Sequence, residues 1–289
     1  MAERSQLRPL IGVTGPNRGG TMAWLFARVA LSRVGARAVR ITPARTIDPM
    51  RLQGLVIGGG ADVSEPLAEY ELAVIPPVSR LRWPRRVIDL LLAPLVLLVR
   101  LLFATKHHGM DPARDALELN LLDYARRHQL PVLGICRGSQ LMTLAEGGSL
   151  LREVNTLYDE RPELYTVLPR REVAIEPNSR LHAIVGRTEL LVNSLHFHAV
   201  GAAAPGMRIV AREPSGVPQA VEHGGRRFWL GVQWHPEYLP QQESHQRIFA
   251  ALAEAARGVP VEREGTATAR ASEPRRAEPT YETGPSSGS

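Results

Sequence analysis

The chain has 289 residues, 44% of them hydrophobic, which is enough for one large domain with a buried core. Its formal charge of +6 would permit nucleic-acid binding, but Lys106 is its only lysine and the arginines are scattered, without a basic stripe interleaved with aromatic residues. Nucleic acid is therefore not expected as a partner. The single cysteine, Cys136, and a short polar N terminus without a secretory signal indicate a reducing, cytoplasmic setting.

The N-terminal part of the chain alternates apolar strands with one amphipathic helix. Apolar runs at residues 9–14, 36–41 and 52–57 predict strands, and residues 22–34 predict a helix that ends at Gly35. A strand, a helix and a second strand in this order form a βαβ unit, which favours a parallel sheet covered by helices.

The rest of the chain continues this pattern and then becomes rich in strands. Asp111 and Pro112 begin a predicted amphipathic helix at 113–128. It is followed by a helix at 139–146, strands at 172–176, 190–192, 208–211, 219–222 and 228–233, and a final helix at 241–257. The expected architecture is α/β, a three-layer sandwich with a mostly parallel central sheet flanked by helices. It occupies residues 1–257, and the polar residues 258–289 are predicted to form a disordered tail.

Residues 80–106 form an apolar insert in this domain. The 18 residues at 87–104 would make a helix about 27 Å long, the lower limit for crossing a bilayer core. Asp89 and Arg100 lie three turns apart on one narrow face, and Pro94 removes a helical hydrogen bond. The pattern is consistent with a helix buried against the protein or a homodimer mate, and also with a peripheral anchor at the inner membrane face; a membrane span is disfavoured.

The sequence GICRG at residues 134–138 places Cys136 between an apolar run and a helix. Small residues two positions before and after a nucleophile allow a sharp strand-to-helix turn, because a β-carbon there would clash. The helix that follows points main-chain N–H groups at the thiol, which favours a thiolate and a developing oxyanion. We therefore predict a catalytic nucleophile, and the glycines at 58–60 are either a turn or a loop that donates N–H groups to a substrate oxygen.

A catalytic cysteine needs a histidine that is oriented by a third group. His235 ends an apolar run, and the following Pro236 disfavours helical geometry at His235. In an extended segment Glu237 would lie on the same side as His235, accept its second N–H and fix the tautomer. Histidines 107, 108, 128 and 245 are expected to lie at the surface.

Several motifs together resemble a known superfamily. GICRGSQ, the glycine loop upstream and GVQWHPE near the C terminus are similar to class I glutamine amidotransferases. Within that superfamily, CRG after GI, the helix-ending GGSL and VNSLH at residues 192–196 resemble the gamma-glutamyl-gamma-aminobutyrate hydrolase family. The resemblance covers roughly residues 8–62 and 111–256.

The resemblance implies a role for each matching residue. Cys136 would be the nucleophile, His235 its base and later the acid, and Glu237 the orienting carboxylate. The oxyanion hole would consist of the main-chain amides of Gly60, or Gly59, and Arg137, and the substrate would be bound by Gln140, Asn193, Ser194 and His196. Phe197 and His198 stand where the family usually has a second polar pair, so the amine on the far side of the scissile bond is not defined.

The implied activity is hydrolysis of a γ-glutamyl amide in a small-molecule substrate, through a γ-glutamyl thioester and without a metal or cofactor. Two alternatives stay open at this point. One is a glutaminase subunit that delivers ammonia to a partner synthase. The other is a non-catalytic scaffold that is tethered to a membrane through residues 80–106.

Overall fold

The structure, a computed structural model, describes residues 8–60, 111–151, 166–196 and 198–259. The elements are, in chain order, β1 Leu10–Thr14, α1 Thr21–Arg33, β2 Arg37–Ile41, a 3₁₀ turn Pro49–Arg51, β3 Gly54–Ile57, α2 Pro112–Arg127, β4 Val132–Ile135, α3 Arg137–Ala145, β5 Leu150–Leu151, β6 Thr166–Ile175, α4 Arg180–Val185, β7 Glu189–Ser194, β8 Ala199–Val200, β9 Met207–Arg212, β10 Pro218–His223, β11 Trp229–Val232, a 3₁₀ turn Pro236–Tyr238 and α5 Glu243–Arg257. The predicted insert at 80–106 and the predicted tail beyond residue 259 lie outside the described residues.

Nine of the described strands form one sheet, in the order β2-β1-β3-β4-β11-β10-β9-β6-β7. The first five run parallel to one another. The other four are added through antiparallel pairs. The prediction of a mostly parallel central sheet is confirmed, with the parallel strands as the larger group. Because β4 and β11 are parallel neighbours, the segments that follow them leave the sheet at the same edge.

Side chains alternate between the two faces of the sheet and build a core on each face. In β4, Leu133 and Ile135 belong to the core that includes α1, α4 and α5, whereas Val132 belongs to the core that includes α2 and α3. In β3, Val56 and Leu55 divide between the two cores in the same way. The sheet therefore lies between two layers of helices, as predicted.

The differences from the predicted elements are local. β6 begins six residues before the predicted strand at 172–176. The six-residue helix α4 was not predicted, because it is too short to show a helical period and is defined by its caps, Ser179 and Gly186. Of the helices in the described ranges, none is both long enough and apolar enough to cross a membrane.

Candidate active site

Cys136 lies on the turn between β4 and α3. Its φ of 52° and ψ of −109° are a conformation that residues with a side chain rarely adopt. The glycines on either side allow this turn. A β-carbon on Gly134 would collide with Met142 and Gly138, and one on Gly138 would collide with the main-chain carbonyl of Ile57. The local sequence therefore forms the sharp strand-to-helix turn that its pattern predicts.

His235 follows β11 and comes to the same edge of the sheet as Cys136, because Val232 of β11 pairs in parallel with Ile135 of β4. The thiol of Cys136 is close enough to the imidazole to raise the pKa of His235. A β-carbon built on Gly59 would lie 2.5 Å from Cε1 of His235 and 3.5 Å from Cβ of Cys136. The glycine loop, the imidazole and the cysteine therefore share one small space that a side chain at position 59 would fill.

Glu237 holds the far side of the imidazole. Its Oε1 lies 2.7 Å from Nδ1 of His235. A carboxylate only accepts, so Nδ1 carries the proton and Nε2 is the nitrogen left for the thiol. The predicted contact is made by a different local geometry, because Pro236–Tyr238 is a 3₁₀ turn and not an extended segment. His235 itself has a φ of −106° and ψ of 88°, outside the helical region, as the following proline requires.

The electrostatic surroundings of His235 favour its charged form. Burial alone would lower its pKa, but the charges of Glu237 and Cys136 and the hydrogen bonds to both outweigh burial and raise the pKa to about 10. The ring of Tyr238 stacks on the imidazole with 5.0 Å between ring centroids. An imidazolium paired with a sulfur and a carboxylate can donate a proton to a leaving group beside Cys136.

Asn193 lies behind His235. Its Nδ2 donates to the main-chain oxygen of His235 at 2.9 Å, and its Oδ1 accepts from the main-chain N–H of His235 at 2.8 Å. The side chain is fully buried. Both ends of the amide, which sequence reasoning assigned to the substrate, are therefore bonded to the main chain of His235. The neighbouring Ser194, at the end of β7, is buried as well.

His196 is bonded to the protein through both ring nitrogens. Its Nδ1 lies 3.0 Å from the main-chain oxygen of His198, and its Nε2 lies 3.3 Å from Nε2 of Gln219. Burial, opposed by the hydrogen bond to His198, lowers the pKa of His196 to about 3. The ring is therefore neutral near pH 7, with its proton on Nδ1 facing the carbonyl.

Gln140 connects to Cys136 through a second glutamine. Nε2 of Gln140 donates to the main-chain oxygen of His198 at 2.9 Å and to Oε1 of Gln233 at 3.2 Å. Nε2 of Gln233 lies 3.5 Å from Sγ of Cys136. A main-chain carbonyl only accepts, which fixes the orientation of both amides. Gln233 was not predicted as a site residue, although it stands two positions before His235 in GVQWHPE.

A buried set of charges lies behind the glycine loop, and we call it the Glu118 network. Glu118 accepts from Thr14 at 2.6 Å, from Nε of Arg114 at 2.7 Å and from Nη1 of Arg137. Nη2 of Arg137 donates to Asp115. The side chain of Glu118 is fully buried, and those of Arg114 and Arg137 are 2% exposed. Sequence reasoning missed this network. The available signal was that charged residues share the face of α2 that carries its buried leucines.

His245 was expected at the surface, and that expectation is wrong. Its side chain is fully buried, with Nδ1 3.2 Å from Nε1 of Trp234 and Nε2 3.2 Å from the main-chain oxygen of Leu191. Burial lowers the pKa of His245 to about 4. It is thus a neutral structural histidine beside the segment that carries His235. Within the described ranges no group of three metal-ligating side chains comes together.

One solved structure has a fold similar to that of this chain. A protein from Thermoplasma acidophilum, provisionally described as one subunit of a GMP synthase, has a TM-score of 0.55 with this chain at 18% identity, over 86% of this chain and 94% of its own. The fold is class I glutamine amidotransferase-like. Residues 102–237 match the sequence model of Peptidase C26.

Curated relatives share about a third of their residues with this chain in the matched region. Gamma-glutamyl-gamma-aminobutyrate hydrolase PuuD of Escherichia coli strain K12 is 37% identical over 148 residues, which are 48% of this chain and 58% of the relative. Protein NtpR of Enterococcus hirae is 34% identical over 137 residues, 45% of this chain and 57% of the relative. The chain therefore spans less than two thirds of the length of these relatives. The resemblance predicted from the motifs is confirmed.

Proposed function

We propose that the chain is a cysteine-dependent hydrolase of γ-glutamyl amide bonds. The observation that carries the proposal is the strained turn at Cys136 beside an imidazole whose Nδ1 lies 2.7 Å from Oε1 of Glu237. A thiol, a histidine and an orienting acid in this order are the parts of a nucleophilic triad. The γ-glutamyl substrate class is taken from the 37% identity to the hydrolase PuuD.

In the proposed reaction, Sγ of Cys136 attacks the γ-carbonyl carbon of the substrate and the carbon–nitrogen bond breaks. The imidazolium of His235 gives its Nε2 proton to the departing amine, and a γ-glutamyl thioester remains. Water then attacks the thioester while His235 takes up one of its protons. The carbon–sulfur bond breaks, glutamate leaves, and the proton on His235 restores the starting state of the pair.

The proposed oxyanion hole combines two main-chain segments. Arg137 is the first residue of α3, so its N–H has no acceptor inside the helix. Gly59 lies against His235 and Cys136, and Gly60 follows it with a φ of 141°, which favours glycine. Donors on both sides of the sulfur could hold the negative oxygen of a tetrahedral intermediate.

On the substrate side, the proposal keeps Gln140 and Ser194 as residues beside the γ-glutamyl group. Asn193 and His196 belong to the same part of the site but act through their hydrogen bonds to the protein. A free cysteine is typical of a reducing compartment, and we propose the cytoplasm. The peripheral membrane and homodimer contacts expected of residues 80–106 concern a segment outside the described residues.

The decisive experiment measures glutamate release by the wild-type protein, Cys136→Ala and Glu237→Gln. We expect no turnover in Cys136→Ala. Glu237→Gln should retain turnover lowered roughly 10²-fold to 10⁴-fold, because orientation of the base is only part of the barrier. Asp123→Asn is the control, since Asp123 pairs with arginines on the exposed surface of α2.

The substrates are γ-glutamyl-γ-aminobutyrate, a panel of other γ-glutamyl amines, and glutamine. Glutamate release that persists in Cys136→Ala would refute the proposal. Preferred turnover of glutamine, with ammonia as the product, would instead favour a glutaminase that supplies a partner synthase. Among the γ-glutamyl amines, the highest kcat/KM would identify the leaving group.

A further inference from the structure

The carbonyl groups of Gly58 and Gly59 both face Arg114. Nη2 of Arg114 donates to the oxygen of Gly58 at 2.8 Å and to the oxygen of Gly59 at 3.1 Å. In a trans peptide, the C=O of one residue and the N–H of the next point in opposite directions. The N–H groups of Gly59 and Gly60 are therefore directed away from Arg114.

The glycine loop, residues 58–60, is packed between Arg114 on one side and Cys136 and His235 on the other. A β-carbon on Gly60 would lie 2.6 Å from Nη1 of Arg114, whereas one on Gly59 would lie 2.5 Å from Cε1 of His235. The loop is also held at its start, because the N–H of Gly58 donates to Oγ1 of Thr14 at 3.1 Å. Consecutive glycines have many accessible conformations, so these contacts select one of them.

One carboxylate connects the loop to the other proposed oxyanion donor. Oε1 of Glu118 accepts from Nε of Arg114 at 2.7 Å, and Oε2 accepts from Nη1 of Arg137. The main-chain N–H of Arg137 is the donor beside Cys136. The position of the loop relative to the start of α3 is thus fixed through Glu118.

We propose that Arg114 is a positioning residue for the oxyanion hole. It binds the outward carbonyls of Gly58 and Gly59 and thereby turns the N–H groups of Gly59 and Gly60 toward the reacting carbonyl oxygen. It does not touch the substrate. The inference rests on the proposed function, because an oxyanion forms only if Cys136 attacks a carbonyl.

The experiment compares Arg114→Met and Arg114→Lys with Arg180→Met. The control is Arg180 in α4. It also donates to a main-chain carbonyl, that of Arg226 at 2.8 Å, but this carbonyl is not part of the glycine loop. Two readouts are combined: kcat and KM for a γ-glutamyl amide, and the rate at which iodoacetamide alkylates Cys136. Alkylation displaces iodide from a saturated carbon and forms no oxyanion.

We expect Arg114→Met to lower kcat about 100-fold, the effect of losing one oxyanion donor, with KM and the alkylation rate changed less than about threefold. Arg114→Lys keeps the charge beside Glu118 but lacks the fork that bonds Glu118 through Nε and both carbonyls through Nη2, so its kcat should be intermediate. Arg180→Met should match the wild type. If alkylation of Arg114→Met falls as far as kcat, Arg114 only supports the fold around Cys136 and the inference is wrong.

Two further measurements cover the other outcomes. If Arg114→Met does not fold, Thr14→Val removes the anchor of Gly58 without removing a charge, and it should show the same division between kcat and alkylation with a smaller loss. The proposed function is judged on wild-type turnover alone. If the wild type releases no glutamate, hydrogen exchange of the Gly59 and Gly60 N–H groups still tests the position of the loop. Equal exchange rates in wild type and Arg114→Met would overturn the inference.

Discussion

The two halves of the site are held by different kinds of interaction. Behind Cys136 and the glycine loop, the Glu118 network consists of buried charges. Behind His235, the supporting groups are neutral: the amide of Asn193 bonds the main chain of His235, and neutral His245 bonds Trp234. Apart from Glu237, which pairs directly with the imidazole, the His235 half is supported by ordinary hydrogen bonds, whereas the Cys136 half is supported by ion pairs.

The difference corresponds to what each half does in the proposed reaction. An oxyanion hole works through dipoles that are already oriented, so fixed charges that hold one geometry suit it. His235 must release and regain a proton in each cycle. The amide of Asn193 holds its main chain without adding a further charge to the one supplied by Glu237, so the proton affinity of the ring is set by burial and by its direct partners.

The largest expected effect comes from breaking the charged half with Glu118→Gln. Glu118 is the common acceptor for Thr14, Arg114 and Arg137, and a glutamine would turn an N–H donor toward one of the guanidinium groups. Removing one partner of a buried ion pair leaves an uncompensated charge, which typically costs about 3–5 kcal/mol. Urea unfolding at pH 7 measures this loss.

The matched control for Glu118→Gln is Glu243→Gln. Glu243 also pairs with an arginine four residues along its helix, Arg247, but both side chains are largely exposed to solvent. Exposed pairs of this kind contribute little, so the unfolding curve should not move measurably. Equal shifts for the two variants would show that the charges behind Cys136 are not what holds that half of the site.

A smaller effect is expected from breaking the neutral half with Asn193→Ala. The main-chain N–H and C=O of His235 would lose their buried partners, at a cost of about 2–3 kcal/mol. The imidazole would lose its fixed position beside the thiol, so kcat should fall while KM changes little. Steady-state kinetics together with urea unfolding measures both quantities.

Ser179→Ala separates the two consequences of Asn193→Ala. Ser179 caps α4 by accepting from the N–H of His182 at 2.9 Å, and losing such a cap costs about 1 kcal/mol. This variant should be less stable but keep its kcat. A rise in KM alone for Asn193→Ala would return Asn193 to the substrate-binding role that the motif implies, and would remove it from the support of His235.

The sequence predicts those parts of the site whose main-chain geometry is restricted by neighbouring residues in the chain. Glycines at 134 and 138 limit the turn at Cys136, and Pro236 limits the main chain at His235, so both positions can be recognised from their immediate neighbours in the chain. Apolar runs predict most of the strands in the same way. Two-residue strands such as β5 and β8 have no period, and the order of strands in the sheet depends on contacts distant in sequence.

The residues that support Cys136 and His235 were not predictable, because the partners that reveal their role are distant in sequence. Arg114 and Glu118 have the i, i+4 spacing of an ordinary surface pair, and only Arg137 reveals them as a buried network. Asn193 belongs to a motif that implies substrate contact, and the spacing of that motif does not tell which way the amide turns. His245 follows a polar helix start, and its burial depends on the packing of α5 against Trp234.

The smallest effect should appear on acidification and concerns His245. Its pKa is about 4 in the folded protein and near 6.5 in an unfolded chain, so the unfolded state binds more protons between these values. Stability supported by the neutral ring is therefore complete above pH 6.5 and is lost progressively as the pH falls toward 4. By pH 5.5 the loss from this group should be about 1 kcal/mol.

Urea unfolding of wild type and His245→Gln at pH 8 and pH 5.5 isolates this contribution. Glutamine can accept from Trp234 and donate to the oxygen of Leu191, as the neutral ring does, but it does not titrate. Other groups, including His196, titrate alike in both proteins, so the difference between the two pH dependences belongs to His245. If both proteins lose the same stability between pH 8 and 5.5, the ring is not kept neutral by burial, and the support behind His235 cannot be described as uncharged.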